Sequence, residues 1–440
     1  MRSPSNHGII PRVVVILVAV VALGLTGWFG LQASGGRHLL ASIAIPMRGP
    51  ENLPDTPAEW RGRIDYRTLD RQLSDLAQRP EMAGLAVAVV EDGEVRFVRT
   101  YGVADAGTGA PVTPHTLFRW ASVSKTATGV LAAAMAGDGT IDLNRPVGGS
   151  RSSLRLPGGA ETRISLDDLL AQRTGLTKNA YDEKLEEGQS PAALRANLAA
   201  APLQCDPGTC HTYQNIAFDA ASEILGAAAH KPFADAVEDR FFRPLGMVSA
   251  GYGMARLTEA ADWAKPHRGS QVRPVKEAYW RVPAAAGVES DIVDFATWMQ
   301  AMMGARPDVL PEAVLERAHR PRVRTERLYG SALRQANSDA SYALGWRNFT
   351  YGGHRLAGHS GAVAGYRATM IFEPATRTGV VALWNSDFGF PFRIPFAVID
   401  SYHKREGAHW LDLSELPAAT GGAAATKPTA KASRESAAPS

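Results

Sequence analysis

The sequence has 440 residues, of which 45% are hydrophobic and 21% are charged, so a chain that is disordered throughout is excluded. The formal net charge is only +3, so nothing indicates a nucleic-acid-binding surface, and we expect no nucleic-acid partner. With two cysteines in all, a disulfide-rich scaffold and a cysteine-rich metal site are disfavoured.

The amino-terminal segment carries a long apolar run. Residues 13–31 contain no charged residue, and Arg2 and Arg12 precede them. At about 1.5 Å per residue this run nearly spans a hydrocarbon core of about 30 Å, and it is longer than the apolar part of a usual secretory signal. We therefore predict a membrane anchor or signal sequence over residues 1–33, with an uncleaved anchor favoured and secretion after cleavage as the alternative. Because positive charge precedes the run, the rest of the chain is expected outside the cytoplasmic membrane.

Simple segments flank the expected folded domain. Residues 34–63 contain clusters of Gly, Pro and Ser and predict a tether. Residues 411–440 are rich in Ala, Thr, Ser, Pro and Gly, and they predict a disordered tail. The folded domain is therefore expected over residues 64–410.

Hydrophobic periodicity predicts strands at both ends of this domain and helices between them. Tyr66, Leu69, Leu73 and Leu76 share one face of the first predicted helix. Strands are predicted at residues 85–90, 95–99, 366–372 and 379–384, with a hairpin turn at Asp92-Gly93. Helices are predicted at residues 130–135, 218–228 and 295–303. This order predicts an α+β fold in which one antiparallel sheet takes strands from both ends, is flanked by helices and has a mostly helical inserted region.

Ser122 and Lys125 form a Ser-x-x-Lys motif, whose two side chains share one face of a helix and can touch. They open a run of small residues that is typical of a helix buried deep in a protein. Burial lowers the pKa of a lysine because desolvation disfavours the charged form, and a neutral amine can take the proton of a serine hydroxyl. A second match, Ser401 and Lys404, lies in a polar stretch and is interpreted as a surface pair.

Two further motifs are weak by themselves. Tyr213 and Asn215 form the only Tyr-x-Asn in the chain, where a phenol could shuttle a proton and an amide could hold a substrate. His359 and Gly361 lead into a predicted strand, and the glycine would let a substrate backbone approach closely. Taken alone, the first motif is better explained by a core tyrosine with a helix cap, and the second by a structural histidine in a turn. A similar His267-x-Gly lies in a polar region and is set aside.

In this order, the three motifs resemble those of the serine β-lactamase and penicillin-binding-protein family. The Tyr-x-Asn form is similar to that of class C β-lactamases, D-alanyl-D-alanine carboxypeptidases and related esterases. Family-like landmarks occur at residues 118–126, 242–247, 344–346 and 358–361. The resemblance covers roughly residues 85–385. It implies a β-lactamase/transpeptidase-like fold, no cofactor, and a small-molecule or peptide acyl substrate in a largely bacterial family.

The resemblance also implies a role for each motif residue. Ser122 would be the nucleophile that becomes acylated, and Lys125 and Tyr213 would share the acid and base steps in an order that the sequence leaves open. The backbone N–H groups of Ser122 and Ala362 would form an oxyanion hole. The implied substrate-binding residues are Asn215, His359, Ser360 and Gly361.

His359 stands where class C enzymes have a lysine. A histidine with an ordinary pKa of about 6.5 is mostly neutral at pH 7, so it provides no fixed positive charge for a substrate carboxylate. We therefore expect carboxypeptidase- or esterase-like hydrolysis of small amides or esters at the outer face of the membrane, rather than efficient β-lactamase activity. The alternatives are a catalytically weak penicillin-binding or cell-wall-peptide-binding sensor, or a β-lactamase. An α/β-hydrolase is disfavoured because the chain has no Gly-x-Ser-x-Gly.

Cys205 and Cys210 enclose a short turn before Tyr213. Outside the cytoplasm these thiols could oxidise, and we predict a disulfide that rigidifies the approach to the tyrosine. A reduced pair is one alternative. Zinc binding with His211 is another, but it lacks a fourth ligand, so no metal site is predicted. The oligomeric state is left open.

Overall fold

The computed structural model describes residues 62–149, 151–326, 331–406 and 409–416. The predicted anchor, nearly all of the predicted tether and the tail from residue 417 onward lie outside the described residues. Within the described part, no helix combines the length and the apolar character needed to cross a membrane.

Strands from both ends of the domain form one large antiparallel sheet. In chain order the strands are β1 (Gly84–Glu91), β2 (Glu94–Asp105), β3 (Ala110–Pro111), β4 (Phe118–Arg119), β5 (Gly251–Tyr252), β6 (His267–Arg268), β7 (Gln271–Val272), β8 (Val288–Ser290), β9 (Val323–Arg324), β10 (Asn337–Tyr342), β11 (Arg347–Tyr351), β12 (His354–Val363), β13 (Tyr366–Glu373) and β14 (Thr378–Trp384). Among the described residues the main sheet has nine strands in the order β3-β2-β1-β14-β13-β12-β11-β10-β9. Leu85 of β1 faces Trp384 of β14, so the predicted pairing of the two ends is confirmed. A smaller sheet pairs β4, β8 and β5, and β6 pairs with β7.

The helices cover the two faces of the main sheet. In chain order they are α1 (Tyr66–Ala77), α2 (Ser124–Gly137), α3 (Leu166–Leu170), α4 (Asp182–Glu186), α5 (Pro191–Asn197), α6 (Ala220–Ala229), α7 (Phe233–Val237), α8 (Met254–Thr258), α9 (Pro283–Ala286), α10 (Ile292–Met302), α11 (Glu312–His319), α12 (Ser331–Ala336) and α13 (Ile394–His403). Helices α1 and α13 pack on one face, and the helical region between β4 and β9 packs on the other. The predicted α+β fold is confirmed.

Strand β1 shows why an unbroken apolar segment predicts a central strand. Leu85, Val87 and Val89 pack against α1 and α13, whereas the alternate residues 86, 88 and 90 join the core under the helical region. A strand that is buried on both faces needs no polar alternation, so its sequence is continuously hydrophobic.

Helix α2 passes through the centre of the domain because its residues are small. All side chains from Ser124 to Met135 are buried. A Cβ on Gly129 would lie 1.6 Å from the carbonyl oxygen of Leu344, and a Cβ on Gly345, whose φ is +72°, would lie 2.1 Å from that of Lys125. These two glycines let the 344–346 turn contact the helix directly, which fixes the position of the Ser-x-x-Lys face.

Two features differ from the sequence-based expectation. Residues 337–363 were assigned no strand, yet they form β10, β11 and β12, and His359 lies inside β12 rather than in a turn. Only part of this half of the sheet is covered on both faces, so its strands mix buried and exposed positions. The Arg, His and Gly residues among them hide the alternation of hydrophobic and polar residues that predicts a strand. Packing also continues past residue 410: Leu411 is buried against the core on the α1 side, and Arg393 pairs with Glu415 at 2.9 Å.

Candidate active site

Ser122 lies on a short 3₁₀ turn, Ala121–Val123, between β4 and α2. Ala121 has a φ of +48°, a left-handed conformation that residues other than glycine rarely adopt and that often marks a functional turn. The turn is held by the Ser124 hydroxyl, which donates to the Ala121 carbonyl at 2.6 Å and accepts from the Val288 N–H at 3.0 Å. The fold therefore fixes the Ser122 backbone from both sides.

Lys125 lies one helical turn after Ser122 and is completely buried. Its Nζ is 2.7 Å from Asn215 Oδ1, 2.9 Å from the Ala285 carbonyl and 3.4 Å from Ser122 Oγ. Desolvation by burial lowers the pKa of Lys125 to about 7, against the opposing field of Asp182. A neutral amine has two N–H donors and one lone pair. The two shorter contacts use both donors, so the lone pair can face the Ser122 hydroxyl.

Tyr213 forms a hydrogen bond with the same hydroxyl. Burial raises the pKa of Tyr213 to about 12, although a hydrogen bond with Ser122 and the positive charge of Arg347 act in the opposite direction. At neutral pH the phenol therefore keeps its proton. Of the two residues whose order the sequence left open, Lys125 is the one that titrates in the range where a general base is useful.

Gln172 positions the Tyr-x-Asn segment. Its side-chain amide donates to the Gln214 carbonyl at 3.0 Å, and its Oε1 accepts from the Gln214 N–H at 2.7 Å. The Gln214 side chain in turn donates to the Thr177 carbonyl at 2.6 Å. These bonds hold the backbone between Tyr213, which hydrogen-bonds Ser122, and Asn215, which accepts from Lys125, so a buried amide pair fixes the positions of both residues.

Cys205 and Cys210 are joined by a disulfide. Their turn is attached to the segment after Gln172, because Gly208 N–H donates to the Arg173 carbonyl at 2.7 Å and the Arg173 side chain donates back to the Gly208 carbonyl. The zinc alternative needs both cysteines as thiolates, so it does not fit this structure. The disulfide turn therefore braces the loop that leads to Tyr213.

The third motif lies on β12, alongside the nucleophile. His359 is buried, with Nδ1 2.8 Å from the Ser360 carbonyl and Nε2 3.0 Å from the Tyr342 hydroxyl. Nδ1 must carry the hydrogen to bond a carbonyl, so Nε2 accepts from the tyrosine. Burial, and then the charge of Arg347, hold the pKa of His359 well below its ordinary value. His359 is therefore a neutral residue whose two ring nitrogens both have protein partners.

Gly361 lets β12 approach the nucleophile turn. A Cβ at this position would lie 2.3 Å from the Trp120 carbonyl oxygen and 2.9 Å from the Ser122 backbone nitrogen. The next residue, Ala362, borders the same cavity as Ser122. The two backbone groups predicted to form the oxyanion hole thus belong to adjoining segments. Ser360, on the same strand, is half-buried, and its hydroxyl lies 3.1 Å from that of Thr369.

Sequence reasoning missed three charged residues of the site. The cavity above Ser122 has a volume of about 350 Å³ and is also bordered by Asp182, Arg347 and the exposed Lys178. Asp182, at the start of α4, accepts from Asn215 Nδ2 at 2.7 Å, and burial raises its pKa to about 6. Arg347 directly follows the family-like Leu-Gly-Trp landmark, which was the available signal. Nothing in the local sequence marks Asp182.

A histidine and glutamate cluster outside this cavity has metal-like spacing. Donor atoms of His354, Glu373 and His403 all lie within 4.8 Å of one another. The two imidazoles bond separate oxygens of the one carboxylate, at 2.9 Å and 2.7 Å. Both oxygens of the Glu373 carboxylate therefore have hydrogen-bond partners within the protein. A larger cavity, of about 1030 Å³, lies between α11 and β12 and contains none of the motif residues.

A serine flanked by a buried lysine and a tyrosine, beside an interior strand of an antiparallel sheet, is the arrangement implied for the serine β-lactamase and penicillin-binding-protein family. Residues 69–402 match the family model described as Beta-lactamase, and the chain belongs to that family.

Individual proteins agree with this assignment. An unguisins hydrolase of Aspergillus campestris is 26% identical over 340 residues, which make up 74% of this chain and 62% of that protein. A D-aminopeptidase of Brucella anthropi is 26% identical over 339 residues, covering 74% of this chain and 61% of that protein. The chain thus spans about three-fifths of the length of these relatives. The solved structure of a class C β-lactamase mutant superposes with a TM-score of 0.63 at 20% identity, over 77% of this chain and 97% of that chain, and it supports the fold.

Proposed function

We propose that this protein is a serine hydrolase that cleaves small amide or ester substrates through an acyl-enzyme at Ser122. The observation that carries the proposal is the pair of contacts on the Ser122 hydroxyl. It contacts both a buried lysine with a pKa of about 7 and a protonated phenol. A base that is half neutral at pH 7 and a separate proton donor are the two groups that acyl transfer to a serine requires.

The geometry supports a definite order of proton transfers. Ser122 Oγ attacks the acyl carbon while its proton passes to Lys125 Nζ, and the N–H groups of Ser122 and Ala362 stabilise the oxyanion. The bond to the leaving group then breaks as that group takes a proton from Tyr213, and the lysine ammonium returns a proton to the phenolate. Water next attacks the acyl-enzyme and gives a proton to the neutral Lys125 Nζ; the acyl bond to Ser122 Oγ then breaks as that oxygen takes the proton back from the lysine, and the acid is released.

The substrate class is supported by the size and charge of the cavity. A volume of about 350 Å³ suits a small acyl compound or the end of a short peptide. A neutral His359 argues against a fixed charge at the third motif, as expected for carboxypeptidase- or esterase-like activity. The names of the two relatives, a peptide hydrolase and another hydrolase, support cleavage of this kind.

We also propose that the domain acts outside the cytoplasmic membrane. The charge-free run over residues 13–31 supports an anchor or export signal, and the disulfide at Cys205 supports an oxidising compartment. Fractionation of cells that express the full chain would test this: recovery of the protein in the cytoplasm, with reduced thiols, would contradict it.

A substrate panel tests the activity. D-Ala-D-Ala peptides, short p-nitrophenyl esters and nitrocefin should be compared with wild-type protein and Ser122→Ala. We expect ester or peptide turnover that is lost in the variant. A fluorophosphonate or a fluorescent penicillin that labels Ser122 without any turnover would instead indicate a sensor. Nitrocefin as the only good substrate would indicate a β-lactamase.

A further inference from the structure

The cluster of two histidines and a glutamate lies at one end of the main sheet. His354 is the first residue of β12, Glu373 is the last residue of β13, and His403 is the last residue of α13. None of the three borders the cavity above Ser122. From His354 to His359 along β12 is about 17 Å at the usual rise of a strand. The cluster is therefore separate from the residues that carry out acyl transfer.

The three side chains offer the donor set of a zinc site. Two imidazole nitrogens and one carboxylate oxygen suit Zn²⁺, which in open sites takes three protein ligands and a water, whereas Ca²⁺ and Mg²⁺ prefer oxygen ligands. Among the residues that the structure describes, no other group of three or more His, Cys, Asp or Glu side chains has its donor atoms this close together. The composition of the cluster thus favours zinc over the harder cations.

The present spacing of the donor atoms needs only a small change to hold an ion. His354 Nδ1 and His403 Nε2 lie 2.9 Å and 2.7 Å from the two oxygens of Glu373. In a tetrahedral zinc site, neighbouring ligand atoms are about 3.3 Å apart, so the difference is about half an ångström. The two rings are stacked with their centres 3.5 Å apart, and they must open slightly to direct both nitrogens at one ion. Both histidines are half-buried, so they have room for this movement.

Both imidazoles can direct a lone pair at the ion without releasing a proton. A carboxylate only accepts hydrogen bonds, so without an ion the two facing nitrogens, His354 Nδ1 and His403 Nε2, carry the hydrogens. A neutral imidazole can carry that hydrogen on its other nitrogen instead. A change of tautomer in each ring therefore makes both facing nitrogens available as ligands.

The glutamate is fixed and buried, whereas the histidines leave a path from solvent. Thr376 Oγ1 donates to Glu373 Oε2 at 2.9 Å, a bond of the kind that orients ligating carboxylates. The Glu373 side chain is only 5% exposed, and within the described part of the chain no lysine or arginine pairs with it. A buried carboxylate without a permanently charged partner favours a cation. His354 keeps 29% of its side chain exposed, so an ion and a water can enter.

We propose that His354, Glu373 and His403 bind one Zn²⁺, with water as the fourth ligand. The ion joins the end of α13 to the ends of β12 and β13, and it stabilises the fold without taking part in acyl transfer. Its effect therefore appears in metal affinity and in thermal stability.

A zinc titration of the full chain without an affinity tag tests the inference. A chromogenic chelator that competes for the ion gives Kd at pH 7.5, and reductant is left out because freed cysteine thiolates would also bind zinc. We expect one equivalent to bind the wild type. His354→Ala, His403→Ala and Glu373→Gln should each weaken binding at least about 10- to 100-fold, since loss of a residue that merely orients a zinc ligand costs this much. His115→Ala removes a half-buried histidine that pairs with a single carboxylate, and it should leave Kd unchanged.

Thermal unfolding separates loss of the site from loss of the fold. Zinc at about 100 times its Kd should raise the Tm of the wild type and of His115→Ala by about 4 °C, and Mg²⁺ should not. The three ligand variants should unfold cooperatively without metal and show no increase with zinc. His403→Ala changes the end of α13, so a failure of this variant to fold leaves the test to His354→Ala and Glu373→Gln.

Two outcomes would overturn the inference. One is wild-type protein that binds no zinc at millimolar concentration. The other is a zinc affinity, or a zinc-induced increase in Tm, that is the same in His354→Ala and Glu373→Gln as in the wild type, because the ion would then be bound elsewhere. Neither outcome touches the proposed hydrolase function, which depends on Ser122.

Discussion

Replacing Asp182 by asparagine tests whether Lys125 acts as a neutral amine. The lysine Nζ is 2.7 Å from Asn215 Oδ1, and Asn215 Nδ2 is 2.7 Å from Asp182 Oδ2, so the two charges lie at most about 8 Å apart. At that distance, with an effective dielectric constant of about 20, their attraction is about 2 kcal/mol, or about 1.5 pKa units. Asp182→Asn removes the attraction and should lower the pKa of Lys125 further below 7.

The assay is the pH dependence of kcat/KM for a neutral ester, whose acid limb reports the general base of the free enzyme. A base with a pKa of about 7 is neutral in about one molecule in eleven at pH 6, whereas a base shifted down by about 1.5 units is neutral in most molecules. The rate of Asp182→Asn at pH 6, relative to its rate at pH 8.5, should therefore exceed the wild-type ratio about fivefold or more.

A variant of opposite charge provides the control for this experiment. Arg347 lowers the pKa of Lys125, so Arg347→Ala should move the acid limb to higher pH, and the two variants should bracket the wild type. An acid limb that stays in place in Asp182→Asn, or moves in the same direction in both variants, would refute Lys125 as the titrating base. Tyr213 or another group would then take its role.

Three further predictions concern the fold around the site. Unfolded lysine has a pKa of about 10.5, whereas that of folded Lys125 is about 7, so the free energy of unfolding should rise with pH between these values. Measured by denaturant unfolding, the amount by which Lys125→Met is more stable than the wild type should therefore fall by about 2 kcal/mol from pH 7 to pH 9. A difference that does not change with pH would mean that the lysine is charged in the fold. Gly361→Ala should reduce kcat/KM about 100-fold, because its Cβ overlaps the nucleophile turn, whereas Gly389→Ala, with nothing within 4 Å, should be neutral; equal rates for the two would contradict the close approach. Cys205→Ser should lower the free energy of unfolding by about 2 kcal/mol, as reductant should for the wild type, and a midpoint insensitive to reductant would show that the bond adds no stability.

The parts of the fold that local patterns encode could be predicted from the sequence. Strand β1 could be assigned because burial on both faces leaves an unbroken apolar segment, and α1 because Leu69, Leu73 and Leu76 repeat at helical spacing. The partnership of Ser122 and Lys125 follows from a spacing of three on one helix. Each of these features depends on neighbours in sequence, so sequence alone carries it.

The remaining parts of the site depend on neighbours in space. Gln172 matters because its amide meets the Gln214 backbone across 42 positions, and nothing local to either residue requires that. Asp182 and Arg347 reach the cavity from α4 and β11, elements without a motif. The surroundings of His267 also depend on neighbours in space. This residue was set aside because its neighbours in sequence are polar. It is nevertheless buried, and its ring accepts from the Ala106 N–H at 3.1 Å, so its role is structural.

Asparagine at position 215 suits the neutral lysine that the proposed mechanism requires. Buried lysines usually have a carboxylate partner, and such a partner would favour the charged ammonium and raise its pKa. Asn215 and the Ala285 carbonyl instead offer two uncharged acceptors, which satisfy both N–H groups of the amine and leave its lone pair for Ser122. Asp182 bonds the asparagine and not the lysine. Its charge therefore raises the pKa of Lys125 without keeping the lysine permanently charged. A direct ion pair would raise the pKa of the lysine, keep it charged at neutral pH and make it a poorer base.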